Sequence, residues 1–302
     1  MTSETSMNGY YAVMPDRGFI RVGGDEAAPF LQSILTTNMD HLHPNTAMAG
    51  ALLTPQGRIL VDMMLYRQDA AIIIECRADA VQDLYTRLRR FRLRRPVNLD
   101  IIDWHCWLFW GGAAPDDSVA DPRGTAIGDA ALGHRWIGPI DATPTHQATL
   151  APIDAWHSIR IAAGIPEGPI DLVPERALML EAAFDKLGAV DFGKGCYVGQ
   201  EVTARTHYRG LVKRRLVPLQ MAGTAPAPDT EIILDGRTIG ATKSSAAFGA
   251  VAVALAALKL SDIHNILAGD AGLTIDGTSA TLAIPDWMLP LPSPAKTDSP
   301  SP

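Results

Sequence analysis

The stretch "DFGKGCYVGQEVTAR", Asp191 to Arg205, combines side chains that neither a buried strand nor a solvated helix needs. It places a lysine, a cysteine, a tyrosine, a glutamine, a glutamate and an arginine among three glycines. Glycine lets the backbone approach another group closely or adopt a positive φ. If "GQEVTAR" begins a helix, Cys196 lies just before its N-terminus, where the helix dipole and Lys194 favour a thiolate. The alternative is an incidental cysteine in a loop.

The composition is that of a globular chain. Its 302 residues predict about two domains, and 47% of them are hydrophobic. A formal net charge of -7 argues against a globally basic nucleic-acid binder. The three cysteines, Cys76, Cys106 and Cys196, are too widely spaced for a disulfide framework or a structural zinc site. Because the first residues carry no signal or transit pattern and no segment is long enough to span a bilayer, we expect a cytoplasmic protein without a membrane partner.

Local patterns predict the main elements. "YYAVM" and "GFIRV" around the turn "PDRG" predict a β-hairpin, and "AMAGALLTPQGRILVDMMLYRQDAAIIIEC" predicts three strands. "ADAVQDLYTRLRRFRLRR" predicts a helix that Pro96 ends, "IDAWHSIRIAAGIP" predicts a second helix, and "PERALMLEAAFDKLG" predicts a third from Pro174 to Gly188. From about Leu211, short strands with Gly and Asp turns predict a small antiparallel barrel.

The common catalytic motifs are absent. There is no dinucleotide-binding or Walker glycine loop, no zinc-protease helix and no nucleophile elbow, which disfavours those reaction classes. His41 and His43 lie close together but lack further ligands, so no metal site is expected. The run "RLRRFRLRR", residues 87–95, contains six arginines. It is either a solvated helix face or an anion site for polyglutamate, phosphate or an RNA backbone.

The segment "KGCYVGQEVTAR" resembles the signature K-G-C-Y-x-G-Q-E-x-x-A-R of the YgfZ family. These are folate-binding proteins of iron–sulfur cluster assembly, related in fold to the aminomethyltransferase (T-protein) of glycine cleavage. The resemblance covers nearly the whole chain, including "ALLTPQGRILVDMMLY", the arginine-rich helix, "SIRIAAGIPEG" and "GATKSSAAFGAVAVAL". It implies an α+β, T-protein-like (GcvT/YgfZ) folate-binding fold with a C-terminal antiparallel β-barrel. We expect the folate-binding region, two intertwined subdomains, at residues 1–211, the barrel at 212–290 and a disordered tail at 291–302.

The chain departs from the family pattern at several positions. T-proteins carry two adjacent aspartates where this chain has Val61 and Asp62, and their G-Y-T-G-E-x-G segment is missing here. In "MLEAAFD", Met179 and Ala183 replace the Pro and Asn that YgfZ proteins usually carry. The first two differences disfavour aminomethyl transfer, and the third removes an amide that could meet a ligand.

The resemblance also implies a set of site residues. Cys196 is the candidate reactive group, which could bridge a cluster or iron transiently, accept a persulfide or act as a redox-sensitive nucleophile. Glu181 is the candidate for the pterin edge of tetrahydrofolate, and Arg160 and Arg94 are candidates for its anionic tail. The other expected site residues belong to the signature: Lys194, Gly195, Tyr197, Gly199, Gln200, Glu201 and Arg205. One cysteine cannot hold a cluster alone, so tetrahydrofolate is the only expected cofactor and no stably bound metal is expected.

Three functions compete at this point. The first is a tetrahydrofolate-binding accessory factor for assembly or repair of iron–sulfur clusters, with client enzymes and assembly proteins as partners and a link to tRNA modification. The second is a tetrahydrofolate-dependent aminomethyltransferase-type enzyme that transfers one-carbon units. The third is an RNA-binding or scaffold module that uses the arginine helix. Whether the chain is itself an enzyme, and which clients it serves, stays open.

Overall fold

The computed structural model describes residues 8–269 and 272–293. The strands are β1 Tyr10–Met14, β2 Arg17–Gly23, β3 Ala47–Leu53, β4 Ile59–Gln68, β5 Ala71–Arg77, β6 Asn98–Ile102, β7 Trp104–Trp110, β8 Val119–Ala120, β9 His134–Pro139, β10 Thr149–Leu150, β11 Arg214–Ala222, β12 Glu231–Leu234, β13 Arg237–Phe248, β14 Val251–Lys259, β15 Leu273–Ile275 and β16 Thr278–Leu282. The helices are α1 Ala27–Gln32, α2 Val81–Arg92, α3 Pro122–Ile127, α4 Ile153–Ala162, α5 Gln200–Tyr208 and α6 Leu260–Ala268. Most of the tail predicted to be disordered, residues 294–302, lies outside the described residues.

The first sheet contains the three consecutive strands that the sequence predicts. Its order is β3-β4-β5-β2-β6, and every neighbouring pair is antiparallel. One face packs against α1 and α2, which contribute Leu31, Leu84 and Leu88 to a core shared with Ile20 and Ile74. These apolar positions recur at helical spacing in α2 and give it one buried stripe, which explains why it forms on this sheet.

The predicted hairpin of β1 and β2 is wrong. Both strands form, but β1 pairs with β7 and β10 in a second sheet of order β10-β1-β7-β9-β8, whereas β2 pairs with β5 and β6. The physical reason is that Phe19 and Ile20, neighbours in β2, are both fully buried and therefore need cover on both faces. The first sheet supplies that cover, because Phe19 belongs to a core that includes Leu108 of the second sheet and Ile20 belongs to the core formed with α1 and α2.

The predicted helix from Pro174 to Gly188 is also wrong. The segment is a series of turns in which Glu175 and Ala183 have positive φ angles of 62° and 58°, which a helix does not allow. Beside its local turn bonds, the segment makes backbone hydrogen bonds to distant strands. The Glu175 N–H donates to the Ile59 carbonyl at 2.8 Å, and the Leu216 N–H donates to the Glu181 carbonyl at 2.9 Å. The turns therefore join β4 to the start of β11.

The C-terminal antiparallel barrel is confirmed. It closes in the order β11-β14-β13-β12-β15-β16 around a core of its own, and α4 packs against β13 and β14 from outside. The Arg215 guanidinium donates to the Leu180 carbonyl, and the Trp287 indole donates to the Ala163 carbonyl at 2.9 Å. The barrel thus packs directly on the two-sheet body. None of the helices in the described ranges is long and apolar enough to cross a membrane.

Candidate functional site

Cys196 lies on the surface, in the loop that precedes α5. The predicted helix forms at Gln200–Tyr208, and Cys196 is exposed four residues before it. Cys76 and Cys106 are fully buried in β5 and β7. Burial raises the pKa of the Cys76 thiol to about 12, and it raises the pKa of the Cys106 thiol further. Cys196 is therefore the cysteine that a reagent or partner can reach.

Lys194 fastens this loop to the body. Its ammonium group is buried and donates to the carbonyls of Leu35 and Thr37 at 2.6 and 2.7 Å, and it lies 5.1 Å from the centre of the Tyr197 ring. Burial lowers the pKa of Lys194 to about 8, against the opposing charge of Asp191. Lys194 has an anchoring role that its place in the sequence does not reveal.

The glycines of the signature differ in how tightly their surroundings constrain them. Gly199 caps α5 with a φ of 82°, and a Cβ there would stand 2.5 Å from the Thr54 carbonyl oxygen. Gly57, in the β3–β4 turn, has a φ of 72°, and its Cβ would meet Val202 at 3.0 Å. The helix α5 thus begins in contact with this turn, and neither Gly199 nor Gly57 has room for a side chain. A Cβ at Gly195 would have no neighbour within 4 Å, so the surroundings of Cys196 are open on that side.

The remaining signature residues surround the start of α5. Tyr197 is buried, which raises the pKa of its hydroxyl to about 12, and this hydroxyl has no hydrogen-bond partner among the described residues. Gln200 is half-buried and its backbone N–H donates to the Tyr197 carbonyl at 3.3 Å, while Glu201 and Arg205 are exposed on the helix. Phe192, just before the loop, stacks on His207 with ring centres 3.9 Å apart.

Glu181 lines a cavity between the turns and the barrel. The cavity has a volume of about 330 Å³. Burial raises the pKa of the Glu181 carboxyl, and the positive charges of Arg214 and Arg58 oppose this rise. Three cations share the cavity wall with Glu181, namely Arg176, Arg214 and Lys243, beside apolar side chains that include Leu172, Leu178 and Leu216. The site therefore offers a carboxylate, an apolar wall and cations within one space.

The two arginines predicted for the folate tail lie elsewhere. Arg160 is buried, and its guanidinium donates to Asp171 and to Ser244, each at 3.1 Å. Arg94 is exposed beyond the C-terminal end of α2. Neither lines the cavity of Glu181, and the three cations on its wall are not among the site residues predicted from the sequence. Of these three cations, Arg214 alone belongs to a basic cluster, "KRR", residues 213–215, at the start of the barrel.

The single aspartate of β4 lies in a neighbouring cavity. Asp62 lines a space of about 330 Å³ together with Asp79, Asp83 and Gly168. Its carboxylate accepts a hydrogen bond from the Gly168 N–H at 3.3 Å. Burial raises the pKa of Asp62, and the nearby Arg17 opposes the rise. Asp62 and Glu181 therefore line separate cavities.

A buried chain of alternating charges crosses the middle of the molecule. Its order is Arg17, Glu75, Arg135, Asp121, Arg123, Glu167, Arg160 and Asp171. The nitrogen–oxygen separations run from 2.5 Å between Arg135 and Glu75 to 3.7 Å between Arg160 and Glu167. At its far end, the Ser244 hydroxyl of the barrel donates to Asp171 at 2.9 Å. This charge chain connects both sheets, α4 and the barrel, and no local sequence pattern predicts it.

The described residues hold no cluster of three or more metal-ligating side chains. The two sheets and the barrel together define a class, that of proteins with the aminomethyltransferase fold. The glycine cleavage system aminomethyltransferase T of Bartonella henselae shares this fold with a TM-score of 0.65, at 16% identity over 85% of this chain and 80% of that chain. Residues 213–290 match the CAF17 C-terminal beta-barrel domain family.

Sequence identity to known proteins shows which family the chain belongs to. The chain is 32% identical to the human mitochondrial iron-sulfur cluster assembly factor IBA57, over 90% of this chain and 83% of the human protein. It is 31% identical to the mitochondrial IBA57 homolog of Neurospora crassa, over 78% of this chain. The chain belongs to the family of iron-sulfur cluster assembly factor IBA57. It spans only 58% of the length of the Neurospora crassa protein.

These relatives refine the family and correct the location. Both relatives are IBA57 proteins, which agrees with the expected iron–sulfur and aminomethyltransferase-fold kinship. The expectation of a cytoplasmic protein is wrong, because both relatives are named as mitochondrial proteins.

Proposed function

We propose that this protein is an accessory factor for the assembly or repair of iron–sulfur clusters, that it binds tetrahydrofolate, and that Cys196 is its reactive group. The observation that carries the proposal is the contrast among the cysteines. Cys196 is exposed in the signature loop, and the other two are buried in strands. Kinship with the IBA57 family supports the iron–sulfur role.

Cys196 contributes one thiolate to a shared site. A cluster takes about four ligands, so a protein with one exposed cysteine needs the remaining ligands from its partner. In this proposal the cluster or its iron is cargo that Cys196 bridges transiently to the cysteines of an assembly protein or client enzyme. The open space at Gly195 leaves room for that approach. Lys194 and the contact of Gly199 with the β3–β4 turn hold the loop in place on both sides of the thiol.

Tetrahydrofolate fits the residues of the Glu181 cavity. Its pterin edge carries N–H donors that suit a carboxylate, and its glutamate tail is anionic. Glu181 would accept hydrogen bonds from the pterin, the apolar wall would cover the ring, and Arg176, Arg214 and Lys243 would bind the tail. A volume of about 330 Å³ lies in the range of small-molecule sites. Arg160 could reach such a tail only by leaving Asp171 and Ser244, and Arg94 lies outside the cavity.

The experiment for the iron–sulfur role is complementation. A strain lacking the protein is assayed for several iron–sulfur enzymes and complemented with wild type, Cys196→Ser and Cys106→Ala. We expect Cys196→Ser to fail and Cys106→Ala to restore activity, since Cys106 is buried and has no access to a partner. Full restoration by Cys196→Ser at equal protein levels would refute the role of the thiol.

The experiment for folate is calorimetry with tetrahydrofolate. We expect Glu181→Gln and Arg214→Gln each to weaken binding by about 1–3 kcal/mol, because each leaves a polar partner unpaired in a partly desolvated space. Cys196→Ser should bind as wild type does, since the thiol is absent from the cavity wall. If Glu181→Gln binds tetrahydrofolate as wild type does and Cys196→Ser does not bind it, folate binds at another site.

One-carbon transfer remains the second candidate because of the shared aminomethyltransferase fold. Incubation with tetrahydrofolate and an aminomethyl donor tests it, and formation of methylene-tetrahydrofolate would favour it. The separation of Asp62 from the cavity of Glu181 makes us expect none. The suggested link to tRNA modification stays a prediction.

A further inference from the structure

The end of α2 carries positive charge that no ion pair among the described residues neutralises. We call residues 89–96 the arginine tip. Five of the arginines in the run belong to it: Arg89, Arg90, Arg92, Arg94 and Arg95. None of these five makes an ion pair with a described residue, whereas Arg87, one turn earlier, pairs with Asp83 at 2.6 Å. This concentration stands out in a chain whose formal net charge is -7.

An aliphatic side chain projects from the middle of the tip. Leu93 is 82% exposed, the highest value among the large apolar residues that the structure describes, and Phe91 is 39% exposed. Leu93 has a φ of 54°, a conformation that is costly for a bulky residue and that favours glycine. A leucine held outward at such a cost indicates that its side chain has a use.

Hydrogen bonds and a close contact hold the tip at its C-terminal end. The Arg92 guanidinium donates to the carbonyl of the buried Val97 at 3.0 Å, and the Val97 N–H donates to the Arg95 carbonyl at 2.8 Å. Gly24 packs so closely that a Cβ there would stand 2.4 Å from the Pro96 carbonyl oxygen. Leu93 is therefore presented by a constrained turn and not by a loose one.

We propose that the arginine tip docks this protein on an anionic phospholipid surface. Arginines would bind the lipid phosphates while Leu93, with Phe91 beside it, inserts among the acyl chains at the interface. An RNA backbone would satisfy the arginines but not an exposed aliphatic side chain, which cannot stack on bases. The three cavities of about 330 to 350 Å³, two described above and one beside β3 and α3, are lined by other residues.

Acidic groups limit the attraction but do not remove it. Asp25 and Glu26 follow Gly24, which packs against Pro96, and Asp100 stands in β6 opposite Arg21. None of these acids pairs with an arginine of the tip among the described residues, so the phosphates have direct access. The proposal departs from the sequence-based expectation of no membrane partner, which rested on the lack of a spanning segment; interfacial docking requires none.

The test is co-sedimentation of the full chain with phosphatidylcholine vesicles, with and without about one third phosphatidylglycerol. We expect binding to the anionic vesicles alone, and we expect it to weaken as salt is added. Each arginine near an anionic surface strengthens partitioning about fivefold, so Arg94→Gln/Arg95→Gln should lower it about 25-fold. The matched control, Lys213→Gln/Lys259→Gln, removes two exposed charges from the barrel and should stay within about twofold of wild type.

Leu93→Gly separates insertion from charge. Glycine suits the positive φ, so this variant should melt at or above the wild-type temperature while its partitioning falls about fivefold or more. Wild-type binding by Leu93→Gly, or equal binding to neutral and anionic vesicles, would overturn the proposal. A single-stranded RNA that binds through the same arginines, with no vesicle binding, would replace the membrane by RNA.

Discussion

At the scale of single residues, accessibility separates the three cysteines. Cys196 is exposed, whereas burial covers Cys76 and Cys106 and raises the pKa of both thiols. We expect a small maleimide to label Cys196 first in the native protein, as read by peptide mapping. Cys196→Ser should leave the melting temperature almost unchanged, and Cys76→Ser should cost about 1–3 kcal/mol because it buries a hydroxyl among apolar groups. Labelling of Cys76 or Cys106 before Cys196 would contradict this order.

Two glycines of the same signature provide a matched pair. Gly199→Ala forces a side chain into a positive φ and against the Thr54 carbonyl oxygen, whereas Gly195→Ala meets open space. We expect urea unfolding to show a loss of about 1–3 kcal/mol for Gly199→Ala, and less than about 0.5 kcal/mol for Gly195→Ala. If Gly195→Ala keeps its stability but loses complementation, its glycine serves the approach of a partner to Cys196. Equal costs for the two variants would show that the described contacts of Gly199 are not what constrains it.

At the scale of elements, the barrel is held by contacts on several sides. Arg160 of α4 donates to Ser244 of β13, Trp287 donates to Ala163, and the Lys186 ammonium donates to the Trp287 carbonyl at 3.1 Å. We therefore expect limited proteolysis not to release a folded barrel by cutting between Tyr208 and Arg215. Clean release of that fragment, with the remaining body still folded, would show that these contacts are weak.

The same elements show which structure the sequence could predict. The signature helix, α2 and the barrel strands were predictable because their signals are local, such as helical spacing, turn residues and alternation. The turns from Pro174 to Gly188 were not, because they also depend on backbone bonds to Ile59 and Leu216, which lie far away in sequence. The cations around Glu181 were missed for the same reason, since Arg214 and Lys243 come from barrel strands. The position of Cys196 just before α5 was predictable because the signature that contains it is continuous in sequence.

At the scale of the whole molecule, the buried charge chain joins parts that have separate apolar cores. Arg135 lies at its centre and pairs with Glu75 at 2.5 Å and with Asp121 at 3.2 Å. Arg135→Met leaves two buried carboxylates with fewer partners, so we expect a loss of about 3–5 kcal/mol in urea unfolding. The exposed pair of Arg87 and Asp83 is the control, and Asp83→Asn should cost less than about 1 kcal/mol. Similar losses of unfolding free energy in Arg135→Met and Asp83→Asn would mean that burial does not strengthen the ion pairs of Arg135.

The charge chain also predicts how stability changes with pH. Burial alone would raise the pKa of Glu75, but Arg135 and Arg17 lower it from 4.5 to about 2. In the unfolded chain Glu75 titrates near its ordinary value, so the unfolded state binds more protons between about pH 4.5 and about pH 2. The stability that Glu75 contributes is therefore complete above about pH 4.5 and is lost as the pH falls towards 2. Asp62, whose pKa burial raises, acts in the opposite direction and offsets part of this loss.

We expect Glu75→Gln to be less stable than wild type at about pH 7 and to approach it at about pH 3, as measured by urea unfolding at both values. A constant difference between the two proteins across this range would show that the Glu75 carboxylate is not held ionised by its arginines.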